Sequence, residues 1–388
     1  MKERFRAWKD HFFNDVKPIE PGIYPYQTPP EAPKQYRLHL RIDPSGEGTL
    51  IVNARTILHL NQTAAEYAFH LVKQTPPDKA AKVIRQRYKV SLENARTDYN
   101  QIAQNIQTLI DSPDLAPDIY LDFERVEPYS QESSAPYRLD CAITYRCPED
   151  SGKKNAPHER VKRELNTDEW KTVLQRAWNA GIPHVVFTGG EPTLREDLPD
   201  LIAEAERLGQ VSGVSTDGLK LADPEYMKLL VKSGLDHVMI LLDTGNNKAW
   251  EGVRAIHAEE IFETIHLTIT KKNKANLDDI LAELAKINVN SVSLSVDNVS
   301  LKPELLSMQH KVAEHQLPLV WDLPVPYSNF HPVALELEEH QEPRKGAGKA
   351  WLYVEPDGDV LPEQGGNPVL GNFVTDPWDS IWQAAKKL

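Results

Sequence analysis

Two hydrophobic rhythms divide this chain. From Tyr36 to Leu60, apolar and polar residues alternate with the two-residue period of half-buried strands. Tyr36 to Ile42, Thr49 to Asn53 and Thr56 to Leu60 read as three strands, with Ser45-Gly46-Glu47-Gly48 as the first turn. The period then lengthens to three or four residues, and three helices follow. Asn61 caps the first. Thr75 caps the second, with Pro76 in its first turn. Ser91 caps the third, where Ile102, Ile106 and Leu109 mark one face. Residues 36–118 thus form a small winged-helix-like α+β unit. Ahead of it, over 1–35, Lys2 to Asn14 reads as a short helix, and the prolines from Pro18 to Pro33 argue against regular structure.

A linker over 119–136, rich in Ser and Pro, leads to residues 137–324, which repeat strand then helix. The strands are Arg138–Thr144, His184–Thr188, Val211–Ser215, His237–Leu242, Ile265–Thr270 and Ser291–Ser295. Thr167 caps a helix that stops at Gly181. Asp223-Pro224 starts one that stops at Gly234, and Asn276 caps another. Alternating units of this kind build a parallel sheet with right-handed crossovers. Either a partial (β/α)6 barrel or a doubly wound sheet satisfies the pattern. Both place ligands at the C-terminal strand ends, where Cys147, Gly189, Thr216 and Asp243 fall. Over 325–388, Trp351 to Leu361 reads as a hairpin around Asp357-Gly358, followed by a last helix.

Composition narrows the function classes. The chain has 388 residues and a formal net charge of −13, which argues against nucleic acid as the partner of the whole molecule. Only Cys141 and Cys147 are present, too few for a disulfide framework, so a reducing cytoplasm is the expected compartment. No apolar run is long enough for a membrane span, and Met1 to Arg6 lacks the apolar core of a secretion signal.

The chemistry concentrates in Phe187-Thr-Gly-Gly-Glu-Pro-Thr-Leu-Arg195, with Tyr145-Arg146-Cys147 one strand upstream. Paired glycines at a strand end let a ligand approach bare backbone, Glu191 offers an acceptor and Pro192 stiffens the turn. The whole string resembles the radical SAM superfamily, in particular its peptide-modifying branch. That resemblance implies a TIM-like partial barrel, S-adenosylmethionine held by Gly189, Gly190, Glu191 and Pro192, and a ribose contact from Ser215, Thr216 and Asp217, with Asp243 adding a polar contact. The segment Leu58 to Tyr67 resembles the peptide-recognition element of the pyrroloquinoline-quinone peptide chaperone type. It implies a peptide or leader peptide added to a sheet edge. Val354-Glu-Pro-Asp-Gly-Asp-Val-Leu-Pro362 resembles the SPASM ending, a hairpin and helix that carry cysteines for auxiliary clusters.

The chain departs from that family where the metal chemistry lies. The family places C-x3-C-x2-C after the first barrel strand as ligands of a [4Fe-4S] cluster. Here Cys147 occupies the first position, Ser151 the second and Lys154 the third. Thiolates suit iron–sulfur clusters, serine oxygen is a poor substitute, and a lysine ammonium is no ligand at neutral pH. Glu363 and the vicinity of Lys345 stand where the SPASM ending has cysteine. Cys141 sits mid-strand and reads as core, and His158 as a solvated loop residue. The expectation is a protein that lacks the cluster and binds S-adenosylmethionine weakly, with Lys153 or Lys154 pairing with its carboxylate.

Several readings stay open on the residues alone. The 36–118 unit reads as a peptide binder, a packing domain or a DNA reader through Lys79, Lys82, Arg85, Arg87 and Lys89. Glu191 reads as a ligand contact or as the ion-pair partner of Arg195. The whole chain reads as a pseudoenzyme or scaffold, as an active radical SAM enzyme with an unusual ligand set, or as a S-adenosylmethionine-binding enzyme of non-radical chemistry.

Overall fold

The computed structural model describes residues 16–29, 31–54, 56–112, 133–148, 160–259, 261–320 and 346–388. Ser151, Lys153, Lys154, His158 and Lys345, and the helix expected over Lys2 to Asn14, lie outside them. The chain divides into two compact units, Met1–Ser134 and Ala135–Leu388.

The first unit is a four-stranded antiparallel meander in sequence order: β1 Gly22–Gln27, β2 Arg37–Ile42, β3 Gly48–Val52 and β4 Thr56–Leu60. β1 corrects the expectation that the prolines of the lead exclude regular structure. It pairs with β2 over its full length, with Pro25 opposite His39. An edge strand tolerates the missing proline N–H. Its aromatic alternation supplies the reason for pairing: Tyr24 meets Phe69 edge-on at 4.9 Å, and Tyr26 lies 5.7 Å from Tyr36.

Helix α1 (Gln62–Val72) begins where Asn61 accepts the Ala64 N–H at 3.0 Å. Helix α2 (Pro77–Tyr88) begins one residue later than expected: Pro76 takes the cap position and Pro77 the first turn. The Thr75 hydroxyl instead lies 3.3 Å from His70 Nδ1. Helix α3 (Leu92–Asp111) is capped by Ser91 as expected. Leu38, Leu40 and Leu50 pack under α1 and α3 with Ile106 and Leu109.

In the second unit, seven parallel strands alternate with helices: β5 Arg138–Thr144, α4 Thr167–Ala180, β6 His184–Gly189, α5 Leu198–Leu208, β7 Val211–Thr216, α6 Pro224–Lys232, β8 His237–Leu241, α7 Asn247–Ala258, β9 Phe262–Ile269, α8 Leu277–Ile287, β10 Ser291–Val296, α9 Lys302–Glu314 and β11 Leu319–Val320. The order across the sheet runs from β11 to β5 without reversal. A doubly wound sheet needs a reversal, which throws helices onto both faces. Without one, right-handed crossovers keep the helices on a single face, as in a barrel wall. The doubly wound alternative is thereby set aside. The tail continues the same sheet. β12 Trp351–Val354 runs parallel beside β5, and β13 Asp359–Leu361 and β14 Gly371–Asn372 follow antiparallel before α10 (Trp378–Ala385).

Local signals explain the helix ends. The cap of α4 is Asn166 rather than Thr167, because Asn166 and Glu169 close a reciprocal capping box. Thr167 donates instead to Asp197 at 2.6 Å. Asp223 caps α6 as expected, while Asn276 stands at the start of α8 without a side-chain bond.

The core-facing positions recur at every second residue along the strands. Leu139, Cys141, Val185, Phe187, Val214, Ile240, Ile265, Leu267, Val292 and Leu294 face the helices and form the core. Cys141 is therefore a core residue, as its mid-strand position predicted, and burial pushes its thiol well up. The next residues along the strands face the other way. At the N-terminal strand ends, His184 and His237 meet across Gly213, Nε2 to Nε2 at 2.7 Å. A Cβ on Gly213 would come within 2.1 Å of the His237 ring, so the middle strand must be bare there.

Candidate functional site

β6 ends at Gly189, whose φ of +124° is a glycine conformation. A Cβ there would lie 2.0 Å from Thr144 O, and one on Gly190 2.2 Å from Arg146 O. Both glycines are needed first by the neighbouring backbone, which bonds Gly190 N to Thr144 O at 2.7 Å and Glu191 N to Arg146 O at 2.8 Å. The turn is thus stitched to the segment that carries Cys147.

Glu191 is 1% exposed. Its Oε1 accepts from Thr193 N at 3.2 Å, Thr193 Oγ1 at 2.7 Å and Thr216 Oγ1 at 2.6 Å, while Oε2 accepts from Asp217 N at 2.8 Å. One buried carboxylate therefore locks the end of β6, the short turn Pro192–Leu194 and the end of β7. Four donors around one carboxylate satisfy it fully. Arg195 is not its partner, which corrects that alternative. The Arg195 guanidinium forks onto Asp197 at 2.8 and 2.6 Å and donates to Ile143 O and Leu165 O. The same guanidinium holds the Asp197 carboxyl below its usual range.

The remaining candidates are distributed around this latch. Thr216 and Asp217 sit on it directly, and the Asp217 Oδ1 also accepts from Leu219 N at 3.0 Å. Ser215 is 2% exposed on the opposite face of β7, and its hydroxyl has no hydrogen-bond partner among the described residues. Asp243 is exposed beyond β8 and closes a turn by accepting from Gly245 N at 3.0 Å. Cys147 is half-buried against Ala142, Tyr145, Tyr353 and Leu361. The structure thus gathers Gly189 to Pro192 with Thr216 and Asp217, and leaves Asp243 outside that hydrogen-bond network.

Sequence reading missed the supports of the site. Lys220 donates to Thr193 O at 2.8 Å and lies over the Tyr226 ring at 4.2 Å. The buried Tyr226 hydroxyl has no hydrogen-bond partner among the described residues, and desolvation, then the Glu191 charge, raises its pKa. Glu164 accepts from Thr144 Oγ1 at 2.7 Å and Tyr145 N at 2.9 Å. Tyr145 donates to Glu355 at 2.9 Å, and Arg160 closes the other Glu355 oxygen at 2.7 Å. Glu355, Asp357 and Asp359 bring carboxylate oxygens within 4.8 Å of one another, but both Glu355 oxygens are already engaged. A second missed feature is polar: His266 lies 3.1 Å from Ser293 Oγ and 2.8 Å from Ser295 Oγ on the face away from the helices. The signal was present in Ser-Val-Ser-Leu-Ser-Val, whose period of two marks one apolar and one polar face.

Comparisons with known proteins agree with this architecture. Residues 141–274 match the Radical SAM superfamily. The PqqA peptide cyclase of Gluconobacter oxydans (strain 621H) is 29% identical over 178 residues, covering 42% of this chain and 49% of that protein. The match thus spans about half the length of that relative. Streptococcus suis SuiB bound to S-adenosylmethionine superimposes with a TM-score of 0.59 at 14% identity, covering 92% of this chain and 88% of that one. SuiB bound to the precursor peptide SuiA gives 0.59 at 15% identity, covering 88% and 86%. At these identities the likeness to SuiB shows the fold. No described helix is long and apolar enough to cross a membrane.

Proposed function

We propose that this chain, which carries a radical SAM domain, is a peptide-binding member of that superfamily whose own residues do not hold a [4Fe-4S] cluster. The observation that carries the reading is the donor set after β5. Cys147 supplies one thiol, and Ser151 and Lys154 stand at the other two family positions. A single thiolate beside a hydroxyl and an ammonium does not fit an iron–sulfur cluster, so these residues support no radical step. Anaerobic iron–sulfide reconstitution tests it. The expected product is colourless protein with no more than trace iron. About four irons per chain with a broad visible absorbance would overturn it.

The cofactor half of the site fits better. The unpartnered Ser215 hydroxyl is a buried group of the kind a ligand satisfies. Ser215, Asp217 and, farther out, Asp243 offer oxygens for a ribose, and the Gly189-Gly190 backbone leaves no side chains between ligand and strand end. Glu191 acts here as the latch that fixes these groups, since its carboxylate is filled by protein donors. When bound, S-adenosylmethionine supplies an electrophilic sulfonium. Without the cluster its amino and carboxylate groups lose their anchor, so weak binding is the expected calorimetric result.

The peptide half of the reading rests on the first unit. β4 has no strand on its outer side among the described residues, whereas β2 is covered by β1. The open β4 edge is a template for an added strand. The PqqA peptide cyclase and the SuiA-bound SuiB carry peptides in their names, which supports a peptide as the partner class. A catalytically active chain with an unusual ligand set is the second reading, favoured by the intact Gly-Gly-Glu-Pro turn. Iron content separates the two, and S-adenosylhomocysteine formation would mark non-radical chemistry.

A further inference from the structure

We infer that the exposed face of α2, with the groove at its N-terminal end, docks an acidic peptide segment bearing an apolar side chain. This rests on the reading of the first unit as a peptide binder, and places the contact away from the β4 edge. Between Asn61 and Lys89 the chain has six Lys or Arg and two acids, Glu66 and Asp78. Both acids are taken: Arg87 meets Glu66 at 2.5 Å, and Arg96 bonds Asp78. Lys79, Lys82, Arg85 and Lys89 are exposed, and among the described residues none of them meets a carboxylate.

Their spacing of three, three and four residues puts them on one side of the helix, over about 15 Å. Helix stability does not account for the row. Cations favour the C-terminal end of a helix, which suits Arg85 and Lys89. Lys79 lies in the first turn, where bare N–H groups already make the end positive. Like charges at these spacings also repel. A ligand that brings carboxylates along this face relieves that repulsion.

The groove supplies the apolar half. It has a volume of about 300 Å3, with Leu71, Pro76 and Tyr99 among its apolar lining and Gln74, Thr75 and Gln107 as polar groups between them, so it admits one apolar side chain with polar neighbours. Pro76 and Pro77 line it and begin α2, so it lies at the helix end whose first turn carries Lys79. An apolar side chain held there would leave its flanking carboxylates against the row of cations. Nucleic acid fits less well, because the chain carries −13 overall and a polyanion is repelled by the rest of it.

The test uses the full chain and fluorescence anisotropy of a short labelled peptide alternating leucine and glutamate. Its leucine–glutamine counterpart and a thymidine oligonucleotide serve as controls. The glutamate peptide should bind about tenfold more tightly than the glutamine peptide, with affinity falling as salt rises. Lys82→Glu with Arg85→Glu should remove that advantage, and Gln107→Trp, which fills the groove from its rim, should weaken binding with circular dichroism unchanged. Equal binding of both peptides overturns the inference. Full affinity in the charge-reversed chain, with loss in His59→Pro, also overturns it and leaves the strand-edge reading standing. No binding by either peptide to any form sinks both readings. Tighter binding of the oligonucleotide than of the peptide replaces the partner class.

Discussion

On the helix side of the parallel sheet, Phe187, Ile265 and Leu294 are at most 1% exposed and pack into one core. On the other side the same strands present Ser215, Thr264, His266, Ser291, Ser293 and Ser295, also nearly all buried. Buried parallel strands commonly read as continuous apolar runs. Here β9 and β10 are apolar mainly at every second residue. The helix side is held by area and close packing, which tolerate similar shapes. The polar side is held by specific pairs, which tolerate almost no change of partner. Apolar burial makes the sheet stable, and on the far side Thr264, His266, Ser291, Ser293 and Ser295 bond to one another.

That contrast can be broken by substitution. Phe187→Ala removes a fully buried ring from the helix side and should destabilise the second unit by about 3–5 kcal/mol, read by urea unfolding. A loss below about 1 kcal/mol would mean that the apolar side does not carry the stability. Glu191→Ala removes the latch at the strand ends and strands the donors of Thr193, Thr216 and Asp217. It should cost about 2–4 kcal/mol and loosen hydrogen exchange at Asp217 first. Stability unchanged within error would show that the carboxylate is dispensable.

The polar side should also respond to pH. Burial, then the Arg138 guanidinium, holds the His237 imidazole down at about 4. An unfolded histidine protonates near 6.5, so below that pH the unfolded chain binds the extra proton first. The contribution of His237 is therefore complete above about pH 6.5 and declines as pH falls toward 4, by roughly 3 kcal/mol. His237→Asn should flatten that slope in thermal melts taken across the window. The smallest effect is expected at Ser215. Removing an unpaired buried hydroxyl should change stability by no more than about 0.5 kcal/mol, yet weaken S-adenosylmethionine binding in calorimetry. A Ser215→Ala chain that binds the cofactor unchanged would remove Ser215 from the site.

Much of the scaffold was legible because the two periods are clean. β5 begins and ends where the alternation does, and Asn61, Ser91 and Asp223 cap the helices they precede. β9 starts at Phe262, three residues early, because Glu263 interrupts the apolar pattern. It is buried by a partner from another element, His257, at 2.9 Å. Asn166, not Thr167, caps α4 because Asn166 stands three residues before Glu169, the spacing a capping box needs. β1 was hidden by prolines that matter less at a sheet edge. At the site, Gly189 to Pro192 stood out locally. The partners of Glu191 did not, since Thr216 and Asp217 reach it from the next strand. The Arg195 pairing failed for the same reason: proximity in sequence was a poor guide to which carboxylate the guanidinium meets.

His184 and His237 touch across a strand to which neither belongs. Only one of the two facing nitrogens can carry hydrogen while the pair stays neutral, so the rings must adopt opposite tautomers. A turn of either ring forces its distant fellow to exchange roles or let go. Two outer strands are thereby made to keep step, with Gly213 as the gap through which they do it.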